Sequence, residues 1–273
     1  MTPFKDQLKV QLKEVQDGET EEVFRCDEEA HFLKPELGFG YNPLNLGQRL
    51  EANGPISGTY EIVRKLGFGG HSTVWLAKYS SESTTETRFM AIKVLTVNIT
   101  AGIIAGKLFE IASMRRLTSA NPGHPGYEHC LAIRDCFVST SYHGPHLSIA
   151  TDVLGSDTMN LQGKQPNSAF SVHVTKRIIK QILLALDYLH HDCGLVHRDV
   201  KPQNVMVCMK TSDATIAEYL DENPATTYEP RFEPDLSPDP IITVRSQPLP
   251  DFGLDPSLDN IIVKWRTTVK LSP

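Results

Sequence analysis

The sequence predicts an α+β chain: strand-like runs, some in antiparallel pairs, with one helix among them, and then a long helix. Two observations predict it. Apolar and β-branched runs of strand length crowd residues 58–154. After them comes one long stripe at helical spacing, with Ile178, Ile179, Ile182, Leu183, Leu186 and Leu189 recurring along 174–191. At 273 residues the chain is long enough for one large domain or for two lobes around a cleft. Net charge is 27 − 33 = −6, which argues against a nucleic-acid binder held by bulk positive charge. Cys26, Cys130, Cys136, Cys193 and Cys208 are scattered, with no C-x-x-C, and an odd count suits a reducing compartment. No apolar run reaches the length of a membrane span. The opening Met1-Thr-Pro-Phe-Lys-Asp6 lacks the apolar core of a signal peptide. The expected location is therefore cytoplasmic, nuclear or both, and the sequon Asn98-Ile99-Thr100 is expected to be idle.

Residues 1–57 read as an N-terminal extension, partly disordered, with an acidic cluster of Glu19, Glu21, Glu22, Asp27, Glu28 and Glu29 expected to be a solvated arm. The tract 37–47 holds too many Gly, Asn and Pro for a helix or long strand. From Tyr60 the pattern alternates. Tyr60–Leu66 and Val74–Tyr79 read as strands around the loop Gly67-Phe-Gly69-Gly-His-Ser72-Thr. Glycine there lets backbone approach a phosphate without a Cβ in the way. Such a loop also serves dinucleotide folds or an ordinary hairpin, but the β-branched and aromatic residues after it favour a hairpin. Arg88–Leu95 is a third strand, with Ala91 and Lys93 inside it. A lysine in an apolar strand needs either a partner or a route to water. The candidate partner is Glu110, on a helix whose face carries Ile104, Leu108, Ile111 and Arg115. Gly102 and Gly106 weaken that helix at its start.

Residues 121–146 hold His124, His129, Cys130, Cys136, His143 and His146, but no spacing matches a zinc clip. Leu131–Val138 and His146–Leu154 read as an antiparallel pair, the second running into a hinge between lobes. The stripe at 174–191 is core packing, and it ends at the glycine stop Asp192-Cys-Gly194. Val205–Val207 is a short strand after the polar loop that follows.

That loop, His197-Arg198-Asp199-Val200-Lys201-Pro202-Gln203-Asn204, spells H-R-D-x-K-P-x-N and resembles the catalytic loop of protein kinases. With the glycine loop and the Ala91–Lys93 strand, it makes residues 58–207 similar to a eukaryotic protein kinase. Within that superfamily the likeness is to the SR-protein kinases. It rests on the lead-in Gly40-Tyr-Asn-Pro-Leu-Asn-Leu-Gly47, on Ser72-Thr-Val74-Trp-Leu, and on Asp152-Val153-Leu154-Gly155. Lys201-Pro202 implies Ser/Thr rather than Tyr specificity.

The resemblance implies a bilobal fold with a small lobe at 58–154 and the start of a large lobe at 155–210. It implies ATP and Mg2+ as cofactors, and transfer of the ATP γ-phosphoryl group to protein serine or threonine. The substrate class would be Arg/Ser-rich splicing factors, with no direct nucleic-acid or membrane partner. It gives Asp199 the substrate hydroxyl proton, Lys201 the moving phosphoryl group, and Asn204 a magnesium ion. Nucleotide would lie against Leu66, Gly67, Gly69, Ser72, Val74, Ala91 and Lys93, with Glu110 holding Lys93. Thr151, Asp152 and Leu154 would border adenine. Ser72 stands where the family has its third glycine.

Residues 211–260 resemble the insert of that subgroup. They carry eleven acids and two bases, and eight of the eighteen prolines, so they are expected to be unable to fold alone and to form a solvated linker. Acidic surface there is an alternative attractor for Arg-rich substrate. Asp251-Phe252-Gly253 spells the family's metal triplet, but two prolines in Gln247-Pro-Leu-Pro250 argue against the strand that should precede it. Ile261–Lys264 is the better strand, and no acid follows it, so Asp251 is expected to be a decoy and Asn204 the one clear magnesium ligand. The tail 261–273 departs from the family, which implies a truncated large lobe. The alternative readings are a catalytically impaired module that keeps nucleotide or partner binding, and a fragment without function.

Overall fold

Alternating residues in the first half of the chain build one six-stranded sheet. The computed structural model describes residues 28–53, 57–81, 84–234, 237–266 and 269–270. The sheet contains β1 (Arg49–Asn53), β2 (Ser57–Gly69), β3 (Ser72–Ser81), β4 (Thr84–Leu95), β5 (Ile133–Ser141) and β6 (Gly144–Thr151). Their order is β1-β2-β3-β4-β6-β5, and every neighbour is antiparallel. Tyr60, Ile62, Trp75, Ala77, Ile92, Phe137 and Ala150 pack one face, and the Tyr60 ring stacks on Phe137 at 5.1 Å. β1 is an addition from the N-terminal extension. Its signal was period-two burial, with Leu50 and Ala52 inside and Arg49 and Glu51 outside.

Between β4 and β5 the single expected helix is two. α1 (Val97–Ile104) and α2 (Glu110–Ser119) are separated at Gly106, which takes φ 67. Glycine reaches that left-handed region without a Cβ penalty, so the helix breaks where it was expected only to be weak. Ile104 is consequently exposed rather than in line with Ile111.

The second half opens with β7 (Leu154–Asp157) and α3 (Thr158–Gly163). α4 (Val172–Asp187) follows, capped by Ser171, whose side chain accepts from the Val174 N–H. It ends in a π turn over Tyr188–Asp192. α4 buries Val174, Ile178, Gln181 and Ala185, while Ile179 and Leu183 of the same stripe stay exposed. Beyond it lie β8 (Val196–His197), β9 (Val205–Cys208), α5 (Asp213–Glu222), β10 (Val263–Trp265) and β11 (Val269–Lys270). β10, β9 and β7 form one antiparallel sheet, and β11 pairs with β8. The Gln181 amide locks α4 to β10 by donating to the Ile261 carbonyl at 3.1 Å and accepting from the Val263 N–H at 2.8 Å.

Two expectations need correction. The stretch 211–260 is not a solvated linker. It buries Ile216, Val244 and Leu249 against the small lobe, and Ile241 is buried as well. The buried Arg64 donates to the Asn223 carbonyl, and Gln247 N–H donates to the Lys65 carbonyl at 2.8 Å. The composition gives no sign that a neighbouring surface supplies a core for the segment. The acidic arm is likewise docked at its end. Glu28 and Glu29 are buried on the Lys65 ammonium. Glu19, Glu21, Glu22 and Asp27 lie outside the described residues.

Candidate functional site

Register places the first group of candidates. Gly67 faces Val74, Val74 faces Lys93, and Lys93 faces Ile149 across β2, β3, β4 and β6. Ala91 faces Leu76 and Thr151. Side chains alternate along a strand, so Val74, Leu76, Ala91, Lys93 and Thr151 share one face of the sheet. A Cβ added at Gly67, Gly69 or Gly70 would meet nothing, so the loop borders open space. The Tyr41 hydroxyl donates to the Gly69 carbonyl at 2.9 Å and ties that loop to the N-terminal segment. Burial, with Glu29 nearby, pushes the Tyr41 phenol up to about 12, so it remains a donor. Its signal was only its place in the lead-in tract.

Lys93 finds the predicted partner. Its Nζ lies 2.5 Å from Glu110 Oε1, at the first residue of α2, and both side chains remain partly open. The hinge end of the same face is covered. Leu66, Leu76 and Val153 share an apolar cluster with Ile216 and Leu249 of the insert. Asp152 turns outward to Arg134 at 2.8 Å and Lys264 at 3.6 Å. Burial works to raise its carboxyl, but hydrogen bonds and charge from Arg134, with Lys264, hold it below the ordinary range. Leu154 begins β7 and pairs with Cys208, while Ser72 pairs with Gly69 at the loop mouth.

The polar loop between β8 and β9 brings three candidates together. Asp199 Oδ2 accepts from Lys201 Nζ at 2.8 Å and from Asn204 Nδ2 at 2.9 Å. Asn204 Nδ2 also donates to the Asp199 carbonyl at 2.8 Å, closing the loop on itself. The Asp199 N–H donates to His197 Nδ1 at 3.1 Å, and Thr158 Oγ1 donates to the Pro202 carbonyl at 2.9 Å. Lys201 first, then Asn204, hold the Asp199 carboxyl below the usual carboxylate range, so it is ionised and an acceptor.

Asp251 is elsewhere. Its carboxylate accepts from the Ser156 N–H and Ser156 Oγ, each at 2.6 Å, and from Lys164 at 3.5 Å. A Cβ at Gly155 would strike Asp251 Oδ1, so the glycine of the hinge tract is what admits this carboxylate. Gly253 turns away at φ 70 against the Lys210 carbonyl, a position any Cβ would close. Asp251-Phe252-Gly253 therefore fastens the insert to β7 and the residues after β9. It is the run Ile261–Trp265 that pairs beside β9.

A protein kinase domain model matches residues 60–229, more than half the chain. The chain belongs to the protein kinase domain family. Among its curated relatives, "Protein kinase dsk1" of Schizosaccharomyces pombe is 31% identical over 85% of this chain and 40% of that protein. "SRSF protein kinase 3" of Homo sapiens is 31% identical over 67% of this chain and 30% of that protein. "Serine/threonine-protein kinase spk-1" of Caenorhabditis elegans is 31% identical over 72% and 18%. The chain thus spans well under half the length of these SR-protein-kinase-like relatives.

Protein kinases generally use ATP and Mg2+. The open glycine loop and the Lys93–Glu110 pair fit nucleotide phosphates. The donor set does not fit magnesium. Asn204 Oδ1 faces the guanidinium of Arg266 at 3.5 Å, Asp199 is held by Lys201, and Asp251 is engaged at Ser156. Among the described residues no cluster of three His, Cys, Asp or Glu residues is arranged to hold a metal.

Proposed function

We propose that this chain is a nucleotide-binding kinase-fold module in which phosphoryl transfer to protein serine or threonine is very slow or absent. The Lys93–Glu110 pair carries the reading. It holds an ammonium, 25% exposed, in register with the glycine loop, where phosphate oxygens can reach its remaining donors. Val74, Ala91 and Thr151 line that face, and its hinge end, at Leu66, Leu76 and Val153, is packed by Ile216 and Leu249 of the insert, so the reading rests on the phosphate end. Asp199 is the acceptor for a substrate hydroxyl proton, with Lys201 beside it to neutralise a phosphoryl group. Among the described residues no free acidic ligand stands beside Asn204 to fix metal on the phosphates, and without one transfer loses its main electrostatic support.

The name of the human relative, SRSF protein kinase 3, together with the sequence resemblance favours Arg/Ser-rich splicing factors as the partner class. The intact Asp199, Lys201 and Asn204 trio favours a second reading, a working Ser/Thr kinase. Calorimetric ATP titration of wild type and Lys93→Met tests the first. Weaker binding by the variant supports it, and equal affinity counts against it. Transfer to an Arg-Ser peptide, with Asp199→Ala as control, separates the second.

A further inference from the structure

The residues after β10 put a fixed cation where a kinase cleft needs a divalent one. The Arg266 N–H donates to the Asn204 carbonyl at 2.8 Å, which pins Arg266 beside the polar loop. Its guanidinium Nη2 lies 3.5 Å from Asn204 Oδ1, a long contact but one aimed at the atom that matters. The amide nitrogen of Asn204 is already committed to Asp199, so Oδ1 is what this side chain has for a cation. The two lysines of the site each rest on a carboxylate, Lys93 on Glu110 and Lys201 on Asp199. Arg266 has no carboxylate within ion-pair distance among the described residues, and it is exposed. A guanidinium keeps its charge at every accessible pH and presents a planar fork that suits phosphate oxygens.

We propose that Arg266 takes the place of the divalent cation, and that the cleft selects a metal-free nucleoside triphosphate. This rests on the nucleotide-binding reading above and deepens it to the chemical form of the ligand. Magnesium complexed to the nucleotide occupies the same oxygens and removes the charge that Arg266 would meet. Metal therefore competes with the site rather than completing it.

The test is calorimetric titration of the full chain with ATP, once with chelator and once with excess magnesium. Wild type should bind in chelator and lose severalfold in affinity with magnesium. Arg266→Ala should bind about tenfold more weakly than wild type in chelator, the loss expected for one charge-assisted contact. The same variant should show no magnesium penalty. It keeps the backbone bond to Asn204 and removes an exposed side chain, so an unchanged melting curve serves as the folding control. Wild type that binds only with magnesium overturns the inference and leaves the nucleotide reading standing. So does Arg266→Ala binding as well as wild type in chelator. Absence of binding by wild type in both conditions sinks the nucleotide reading and this inference together.

Discussion

Lys65 on β2 and Lys93 on β4 lie on opposite faces of one sheet. Lys65 pairs across with Trp75, whereas Lys93 pairs with Val74. Each meets glutamate, and the similarity ends there. Lys65 is 1% exposed and sits between two carboxylates, Glu28 at 2.8 Å and Glu29. Lys93 is 25% exposed and has one carboxylate, Glu110. A charge with a full set of partners and no access to solvent is committed to holding structure. A charge with one partner and open donors is available to a ligand. The cost of removing them should therefore fall on different observables.

The largest effect expected is from Lys65→Met. It leaves Glu28 and Glu29 buried without a counter-charge, which costs about 3–5 kcal/mol. Chemical denaturation should show that loss, while the ATP affinity of the folded fraction stays within about twofold. A stability unchanged by the substitution would erase the contrast between the two lysines.

Acid should loosen the same region by a different group. Burial first, then Lys65 and His143, push the His31 imidazole down to about 4 from 6.5. The unfolded chain then binds more protons than the folded one between those values, so stability rises with pH there. The contribution, about 3 kcal/mol, is whole above pH 6.5 and drains as pH falls towards 4. Burial raises Glu29, so its contribution runs the other way and is lost as pH rises through its raised value. Denaturation curves across pH, with His31→Gln flattening the acid limb, check the assignment. His31 Nε2 is bonded to Thr243, 3.1 Å away in the insert, so the acid transition should also release the insert.

Asp251→Ala should cost less, about 2 kcal/mol for the charge-assisted bonds to Ser156. Thermal melts read that loss, and the magnesium response should not change. Lys93→Met should be smallest in stability, within about 0.5 kcal/mol, while ATP binding weakens by about tenfold or more. A Lys93→Met protein that unfolds but binds ATP normally would invert the comparison.

Much of this was legible because the signals are local. Tyr60–Leu66, Val74–Tyr79 and Arg88–Leu95 alternate within single strands, and His197–Asn204 spells its loop in eight consecutive residues. Asp251 could be placed away from the metal position because Pro248 and Pro250 forbid the strand that would carry it there. What was not legible depends on partners far along the chain. Glu28 and Glu29 look solvated until Lys65 closes on them. Ile216, Val244 and Leu249 are too sparse among acids and prolines to announce a docking surface, and the surface belongs to β2, β3 and β4. Gly106 read as a weak helix position, but only the backbone shows that it takes φ 67 and divides α1 from α2. Arg266 carried no motif at all. Its meaning comes from β10 pairing beside β9, which brings it to Asn204.

In the proposed reading the cleft grips nucleotide through Lys93, while among the described residues no free acidic ligand is there to make transfer fast. Single-turnover transfer of labelled γ-phosphate from magnesium-ATP to an Arg-Ser peptide tests it most directly, with Asp199→Ala as the blank. Wild type should transfer no faster than the blank. Magnesium-dependent transfer well above Asp199→Ala, abolished by Asp251→Ala, would contradict it.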